Sequence, residues 1–517
     1  MMIQISAIPV NYDLVINGDG NNCVSSGKYG YIRGFSYPLI GDGAYVLSAN
    51  TVSEMYNRRV LDKMHWEFKE TSSEAKKDPR LGIIKMFEYS QEKIPIYVNF
   101  DSMVRYHFGI FSFTGGGKSN LLSNVLRKIL LHTQDTKVVI FDISSEYPFL
   151  LMDIFADPKI KSRIILESPV KSSEQFHISV VKPREYEDDE RVKSGLAKIF
   201  DKKIVSHFVK PESLVPKCSD ILGELVALKS ESVGKPHYIN AIDDIYQKLL
   251  DCMHENGLTE THFIDENFVH ALCEVAVNAM KTYKVNDKAS LYAWATTRET
   301  LRGRLKKKKN HSKGDEDEIT TDKLREIIEG DTRLICISIS DPYTIKNLVM
   351  DLTSDFLYKR KKQFKVKPYI LFVFDEAQEF VADLSNARGI EKECSIAVET
   401  LLRQGRKYGL GGCIATQRIA YLNTNALQQL HTYFVGTLPR PYDRNLVSNT
   451  FTIDQGILEK TLEFAPGQWL LSSYIATGIE NVPIFIKADN AETEIEAFLQ
   501  KTSHPIPTDH SQRVTAF

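Results

Sequence analysis

The chain has 517 residues, 43% of them hydrophobic and 26% charged, with a formal net charge of −2. That length gives room for two to four domains at about 100–200 residues each, and the near balance of charge excludes a uniformly basic nucleic-acid coat, so any such surface is local. Seven dispersed cysteines without a C-x-x-C pair argue for reduced thiols and against a disulfide frame or zinc site.

Residues 1–103 carry short Gly-, Tyr- and Val-rich runs. "YDLVING", "KYGYIRGF", "GAYVLSA" and "KIPIYVNF" read as strands broken by turns, so a small β-barrel-like domain is expected, with "RRVLDKMHWEFKETSSEAKKDPR" as a looser charged insertion. No basic segment followed by an apolar one opens the chain, and no run of about 18 or more apolar residues occurs anywhere. The expectation is a cytoplasmic protein with no membrane span.

From residue 104 the pattern becomes strand–helix alternation. "HFGIF" reads as a buried strand, "NLLSNVLRKILL" as a helix, and "KVVIFD" (137–142) as a second strand. Residues 183–330 interrupt with polar, helical sequence, read as an inserted subdomain. Inside it "RGRLKKKKNHSKGDEDE" is either a solvated loop or a nucleic-acid contact through Arg302, Arg304, Lys306 and Lys307. Alternation resumes over 331–490 with "RLICISIS", "YILFVFDE", "GGCIATQ", "TYFVGTL", "GQWLLSS" and "VPIFIKAD". Such continuous apolar runs suit a sheet covered on both faces, an α/β layered core made of 104–182 and 331–490. Residues 491–517 are expected to form a C-terminal arm, because "TSHPIPTDHSQRVTAF" has no periodicity.

The chemistry starts at "FSFTGGGKSN", residues 111–120. A phosphate-binding loop wraps backbone N–H groups around phosphate oxygens, which needs glycines close to the ligand. Thr114, Gly115, Gly116, Gly117, Lys118, Ser119 and Asn120 are the candidate nucleotide contacts. Lys118 suits the β/γ-phosphates and Ser119 suits Mg²⁺. The usual pattern has glycine where Ser112 stands, but that position starts the loop and makes no phosphate contact.

Hydrolysis also needs a metal carboxylate and a group to activate water. "YILFVFDEAQEF" delivers Asp375 and Glu376 at the C-terminal end of a strand, where ligands bind in open α/β sheets. Asp375 is the candidate metal ligand and Glu376 the group that polarises water. Loop and "hhhhDE" together indicate a P-loop ATPase with an additional strand. In "ETLLRQGRKYGLGGCIATQR" (399–418), Gln417 ends a strand and is a candidate γ-phosphate sensor. Arg406, with Arg403 and Lys407 nearby, is either a surface cation or a residue reaching a neighbouring subunit's nucleotide. Asp142 and Glu146, in "FDISSEYPFL", either support the metal's water shell or cap the turn.

Taken in order, "HFGIFSFTGGGKSN", "VVIFDISSEY", "YILFVFDEAQEF" and "LLRQGRKYGLGGCIATQR" resemble the HerA-type ATPases of the FtsK–HerA division of P-loop proteins. The R-x-G-R-K-Y-G block is the most specific piece, and this family commonly lacks glycine at the Ser112 position. The resemblance implies a RecA-like core and a homohexameric ring with ATP and Mg²⁺ at subunit interfaces. It further implies double-stranded DNA in the channel and a separate nuclease or NAD-consuming effector as partner, in DNA end processing or antiphage defence. By that resemblance Arg406 acts in trans. Gln378 stands where many relatives carry histidine. An ATP-gated scaffold without processive translocation is the alternative reading.

Overall fold

The computed structural model describes residues 12–17, 28–33, 48–64, 78–209, 218–232, 234–256, 266–286, 317–479 and 481–503, with the single positions 258, 264, 291, 292 and 294. The chain divides into two compact units, Met1–His207 with Leu324–Phe517, and Phe208–Lys323. Fifteen strands are described: β1 (Tyr12–Asn17), β2 (Lys28–Arg33), β3 (Gly82–Ile84), β4 (Pro95–Ile96), β5 (Phe108–Phe111), β6 (Thr136–Asp142), β7 (Ser162–Leu166), β8 (Val205–Phe208), β9 (Glu318–Ile319), β10 (Leu334–Ser338), β11 (Tyr369–Phe374), β12 (Leu410–Thr416), β13 (Thr432–Val435), β14 (Gln468–Ser473) and β15 (Ile484–Ala488).

The first unit is built on one mixed sheet, ordered β4-β3-β15-β14-β13-β5-β12-β11-β6-β10-β7-β8. From β13 to β8 neighbours run parallel, while β14, β15, β3 and β4 continue antiparallel. Every residue of β5, β6, β10 and β12 is buried, as continuous apolar strands covered on both faces must be. On one face, Val138 and Ile140 of β6 and Leu371 and Val373 of β11 share a core with Leu122, Val125 and Ile129 of the helix Lys118–His132. On the other, Phe141 lies 5.4 Å from Phe374, and Phe356 of the helix Pro342–Gln363 lies 6.1 Å from Phe372. The alternation is the two-residue period of a strand. β12 separates β5 from β11, which is the additional strand the motifs imply.

Each strand expected from β5 onward is present, and β7, β8 and β9 are additional. Arg163 within β7 and His207 within β8 break up their apolar runs. The charged stretch expected to be loose begins inside the helix Ala49–Met64, where Asn57 is buried, donating to the Pro95 carbonyl at 2.7 Å and accepting from Tyr97 N–H at 3.2 Å. Of the expected N-terminal barrel, β1 and β2 form an antiparallel pair; most of "GAYVLSA" lies outside the described residues. β3 and β4 belong to the core sheet rather than to a separate domain. The expected C-terminal arm starts as the helix Ala491–Ser503, whose Ile495 and Leu499 are buried in the core. Residues 504–517 lie outside the described residues.

The second unit is narrower than the sequence implies, because the helix Glu190–Asp201 packs Val192, Leu196 and Ile199 into the first unit's core. It is helical, as expected. The helices Cys218–Glu231, Pro236–Glu255 and Glu266–Thr282 bury Leu225, Ile242, Ile245, Leu249, Phe268 and Leu272, spaced three to four residues apart within each element. The basic run with Arg302, Arg304, Lys306 and Lys307 lies outside the described residues. The six described cysteines are free thiols, with Cys336 and Cys413 buried in β10 and β12. Among the described residues no helix is long and apolar enough to cross a membrane.

Candidate nucleotide site

β5 ends at Phe111 and the helix Lys118–His132 begins seven residues later, so the loop between them sits at the C-terminal edge of the parallel strands. Ser112 still belongs to the ladder, its N–H donating to the Thr416 carbonyl at 3.4 Å. It has an ordinary negative φ, so serine costs nothing there. Its hydroxyl instead dictates the next constraint. A Cβ at Gly116 would come within 2.0 Å of Ser112 Oγ, and Gly117, at φ 90°, caps the helix in the left-handed region. The loop therefore needs its glycines where the phosphates would sit, directly before the helix N-terminus that attracts anions.

Lys118 is buried and bridges the two acids that follow β11. Its ammonium pairs with Asp375 and lies 3.0 Å from Glu376 Oε1. Burial opposes the charge on Lys118, but the carboxylates of Asp375 and Glu376 outweigh it and hold the pKa above the ordinary lysine value. Asp375 also accepts from Tyr147 OH at 2.9 Å and from Glu376 N–H at 2.8 Å.

Glu376 adopts φ 45° and ψ 51°, left-handed backbone that a non-glycine residue keeps only when its surroundings impose it. Its carboxylate is held from three sides. Besides Lys118, Gln417 Nε2 donates to Oε1 at 3.1 Å and Gln378 Nε2 donates to Oε2 at 3.1 Å. Gln378 in turn accepts from Thr416 Oγ1 at 2.7 Å, and Gln417 accepts from the Thr114 hydroxyl. A closed circuit thus joins the loop, the tip of β11 and the tip of β12. Gln378 is its link between strands, a role available to any side chain there that can donate one bond and accept another. Replacing Gln378 by alanine is expected to lower the rate of ATP turnover between about 10- and 100-fold, by loosening the aim of Glu376, while leaving nucleotide affinity near wild type. Steady-state kinetics separate the two, and an unchanged turnover number would remove Gln378 from the circuit.

Asp142 is drawn into the fold rather than toward the loop. It accepts from Tyr147 N–H at 3.0 Å, Glu146 N–H at 3.3 Å and Ser338 Oγ at 3.3 Å, and so caps the turn after β6. Burial pushes its pKa up to about 7, and the Asp375 charge adds to this against the two backbone donors. Glu146 lies closer to the loop, with burial and then the Asp375 charge raising its pKa, opposed by Lys118 and a hydrogen bond from Ser119. Ser119, Asp375 and Glu146 present hard oxygen donors of the kind Mg²⁺ takes. Among the described residues no cluster of three or more His, Cys, Asp or Glu is placed to hold a metal alone. Beside Ser119, Asn120 and Glu146 opens a cavity of about 320 Å³ walled by Phe149, Val181, Pro183 and Ile495.

Arg403, Arg406 and Lys407 are not brought to this loop. They precede β12, and that seven-residue strand puts Arg406 about 20 Å from Gln417, at the opposite edge of the sheet. Arg406 is exposed with its guanidinium 4.3 Å from the Tyr106 ring centre, and Arg403 faces Glu399 at 3.6 Å. Two contributors were not legible in the motifs. Tyr147 had only its place after Glu146 as a signal. Gly467, whose N–H donates to the Gly116 carbonyl at 3.4 Å, comes from a distant turn with no sequence mark.

The family model described as "Helicase HerA, central domain" matches residues 85–360, just over half of the chain. The chain belongs to the HerA family. The matched segment contains the HerA phosphate loop and Glu146 but ends before Asp375, Glu376 and Arg406. No curated protein matches the chain. Solved structures share the fold distantly. VirB4 of Thermoanaerobacter pseudethanolicus is 12% identical over 80% of this chain and 97% of its own, with a TM-score of 0.45. The bacterial conjugative coupling protein TrwB is 12% identical over 83% and 90%, with a TM-score of 0.38. The genome packaging NTPase B204 from Sulfolobus turreted icosahedral virus 2, in complex with ATP-gammaS, is 16% identical over 31% and 68%, with a TM-score of 0.24. These likenesses are too remote to carry a function across.

Proposed function

We propose that this HerA-family chain is the subunit of a homohexameric, Mg²⁺-dependent ATPase that moves double-stranded DNA and works with a separate nuclease or other effector. The observation carrying the ATPase reading is the convergence of Lys118, Asp375, Glu376 and Gln417 on one loop. Lys118 and Thr114 are the groups that a bound triphosphate engages, so its arrival draws donors away from Glu376 and Gln417. Glu376 is then left to orient and polarise the attacking water, and Gln417 to report the γ-phosphate. Thr114 to Asn120 cradle the phosphates, with the apolar wall of Phe149, Val181 and Pro183 beside the nucleoside. Mg²⁺, held by Ser119 and Asp375 with Glu146 near its water shell, would neutralise charge on the β/γ-phosphates.

Arg406 supports the ring reading. Exposed and far from its own loop, it is the residue we assign to a neighbour's nucleotide, where a guanidinium would stabilise the transferring phosphoryl group. The residues before β3 and the unit Phe208–Lys323 are the segments we assign to partner docking.

The test is steady-state ATP hydrolysis with and without long duplex DNA at two salt concentrations. DNA is expected to stimulate turnover, and the stimulation to fade at higher salt, because phosphate contacts release counterions. No stimulation at either salt would reject the DNA motor in favour of an ATP-gated scaffold.

A further inference from the structure

Residues 359–367, KRKKQFKVK, hold six cations and no acid in a chain whose net charge is −2. They end the helix Pro342–Gln363 and lead into β11. Four of the six have structural partners. Lys359 pairs with Glu329 at 3.3 Å, Lys367 with Asp135 at 2.7 Å, and Lys361 donates to Gln404. Arg360 is buried, and its guanidinium donates to the carbonyls of Tyr408, Val366 and Pro368 at 2.7–3.1 Å. Those bonds fix the turn as a rigid platform.

Lys362 and Lys365 are different. Both are exposed, and among the described residues neither side chain makes an ion pair or hydrogen bond. Between them Phe364 is 84% exposed. It caps the helix at φ 53° and ψ 29°, where glycine is unstrained and phenylalanine is not. Lys362 suits the C-terminal end of its helix, but folding does not account for a solvent-facing phenyl ring on a left-handed backbone flanked by two unpaired ammonium groups. Cations flanking an exposed aromatic ring match the chemistry of nucleic acid, whose phosphates take the charge and whose sugars and bases take the ring. Lys407, exposed on the neighbouring turn Gly405–Tyr408, extends the positive surface.

We propose that the turn Lys362–Lys365 is a duplex-DNA-contacting element, with Lys362 and Lys365 on backbone phosphates and Phe364 against the sugar between them. The proposal rests on the DNA reading above and names a surface for it. This surface lies at the sheet edge opposite the phosphate loop, separated from Asp375 by the six residues of β11, about 20 Å. Basal ATP hydrolysis should therefore survive its substitution.

The experiment is anisotropy titration of a 30-base-pair duplex, a length of about three helical turns, across a salt series with the full-length protein. Changing Lys362→Gln together with Lys365→Gln should reduce the slope of log affinity against log salt by about two, at roughly 0.9 per phosphate contact. Phe364→Gly should weaken binding about fivefold or more with the slope unchanged, while holding or raising Tm because the strain is relieved. Wild-type protein that binds DNA while the variants match it in affinity and slope would overturn the turn's role alone. Wild-type protein that fails to bind duplex at the lowest salt would overturn the DNA reading and this proposal with it.

Discussion

Replacing Glu376 by glutamine is expected to leave ATP bound and to slow its hydrolysis by about 10²–10⁴-fold, the usual contribution of a positioned general base. The substitution is nearly isosteric, so the circuit through Gln378 and Gln417 can persist with one amide turned over. What it removes is the negative charge that polarises water. The phosphate loop, Lys118 and Ser119 are untouched, and affinity for a fluorescent ATP analogue should stay near wild type. Turnover at the wild-type rate would refute the assignment. The same variant also tests Arg406. A ring of Arg406→Ala subunits should bind ATP but hydrolyse it poorly, because the guanidinium is about 20 Å from its own loop and can act only across an interface. Mixing the two variants places an intact Glu376 opposite an intact Arg406 at some hybrid interfaces, and part of the activity should return. Hybrid rings that form yet stay silent would mean that Arg406 serves no neighbour.

The parts of this site that the sequence revealed are those that are local along the chain. A strand, a glycine-rich loop and a helix follow one another within about twenty-five residues, so 108–132 could be placed without knowing any partner. The apolar run before Asp375 likewise announces its own strand end. The circuit around Glu376 was not legible, because it depends on β12 inserting between β5 and β11 and bringing Thr416 against Gln378. Sequence proximity also misleads. Arg406 and Gln417 are only eleven positions apart, yet the extended strand between them sends them to opposite edges. Short edge strands fared worst. β3 has three residues and no periodicity to detect, and β4 falls in "KIPIYVNF", which reads as a strand of a separate barrel; their membership of the core sheet emerges only from the ladder with β15.

Lys118→Ala should abolish detectable ATP binding, because each charge-assisted hydrogen bond to phosphate contributes about 1.5–3 kcal/mol and the ammonium makes more than one, a loss of at least about 100-fold in affinity. The nucleotide-free protein should suffer too. Lys118 is buried, 4% exposed, between Asp375 and Glu376, and its removal leaves two adjacent carboxylates without a countercharge. Breaking such a pair costs about 3 kcal/mol or more, which a lowered Tm would register. Protonation then becomes informative. In the wild-type protein the raised Lys118 pKa means its stabilising contribution is present below 10.5, the ordinary lysine value, and is lost only as pH rises through the folded value above it. Adding Asp375→Asn to Lys118→Ala should recover much of the Tm at neutral pH without restoring ATP binding. A double variant no more stable than Lys118→Ala alone would show that the lysine does not neutralise this pair, and the electrostatic account of the loop would fall with it.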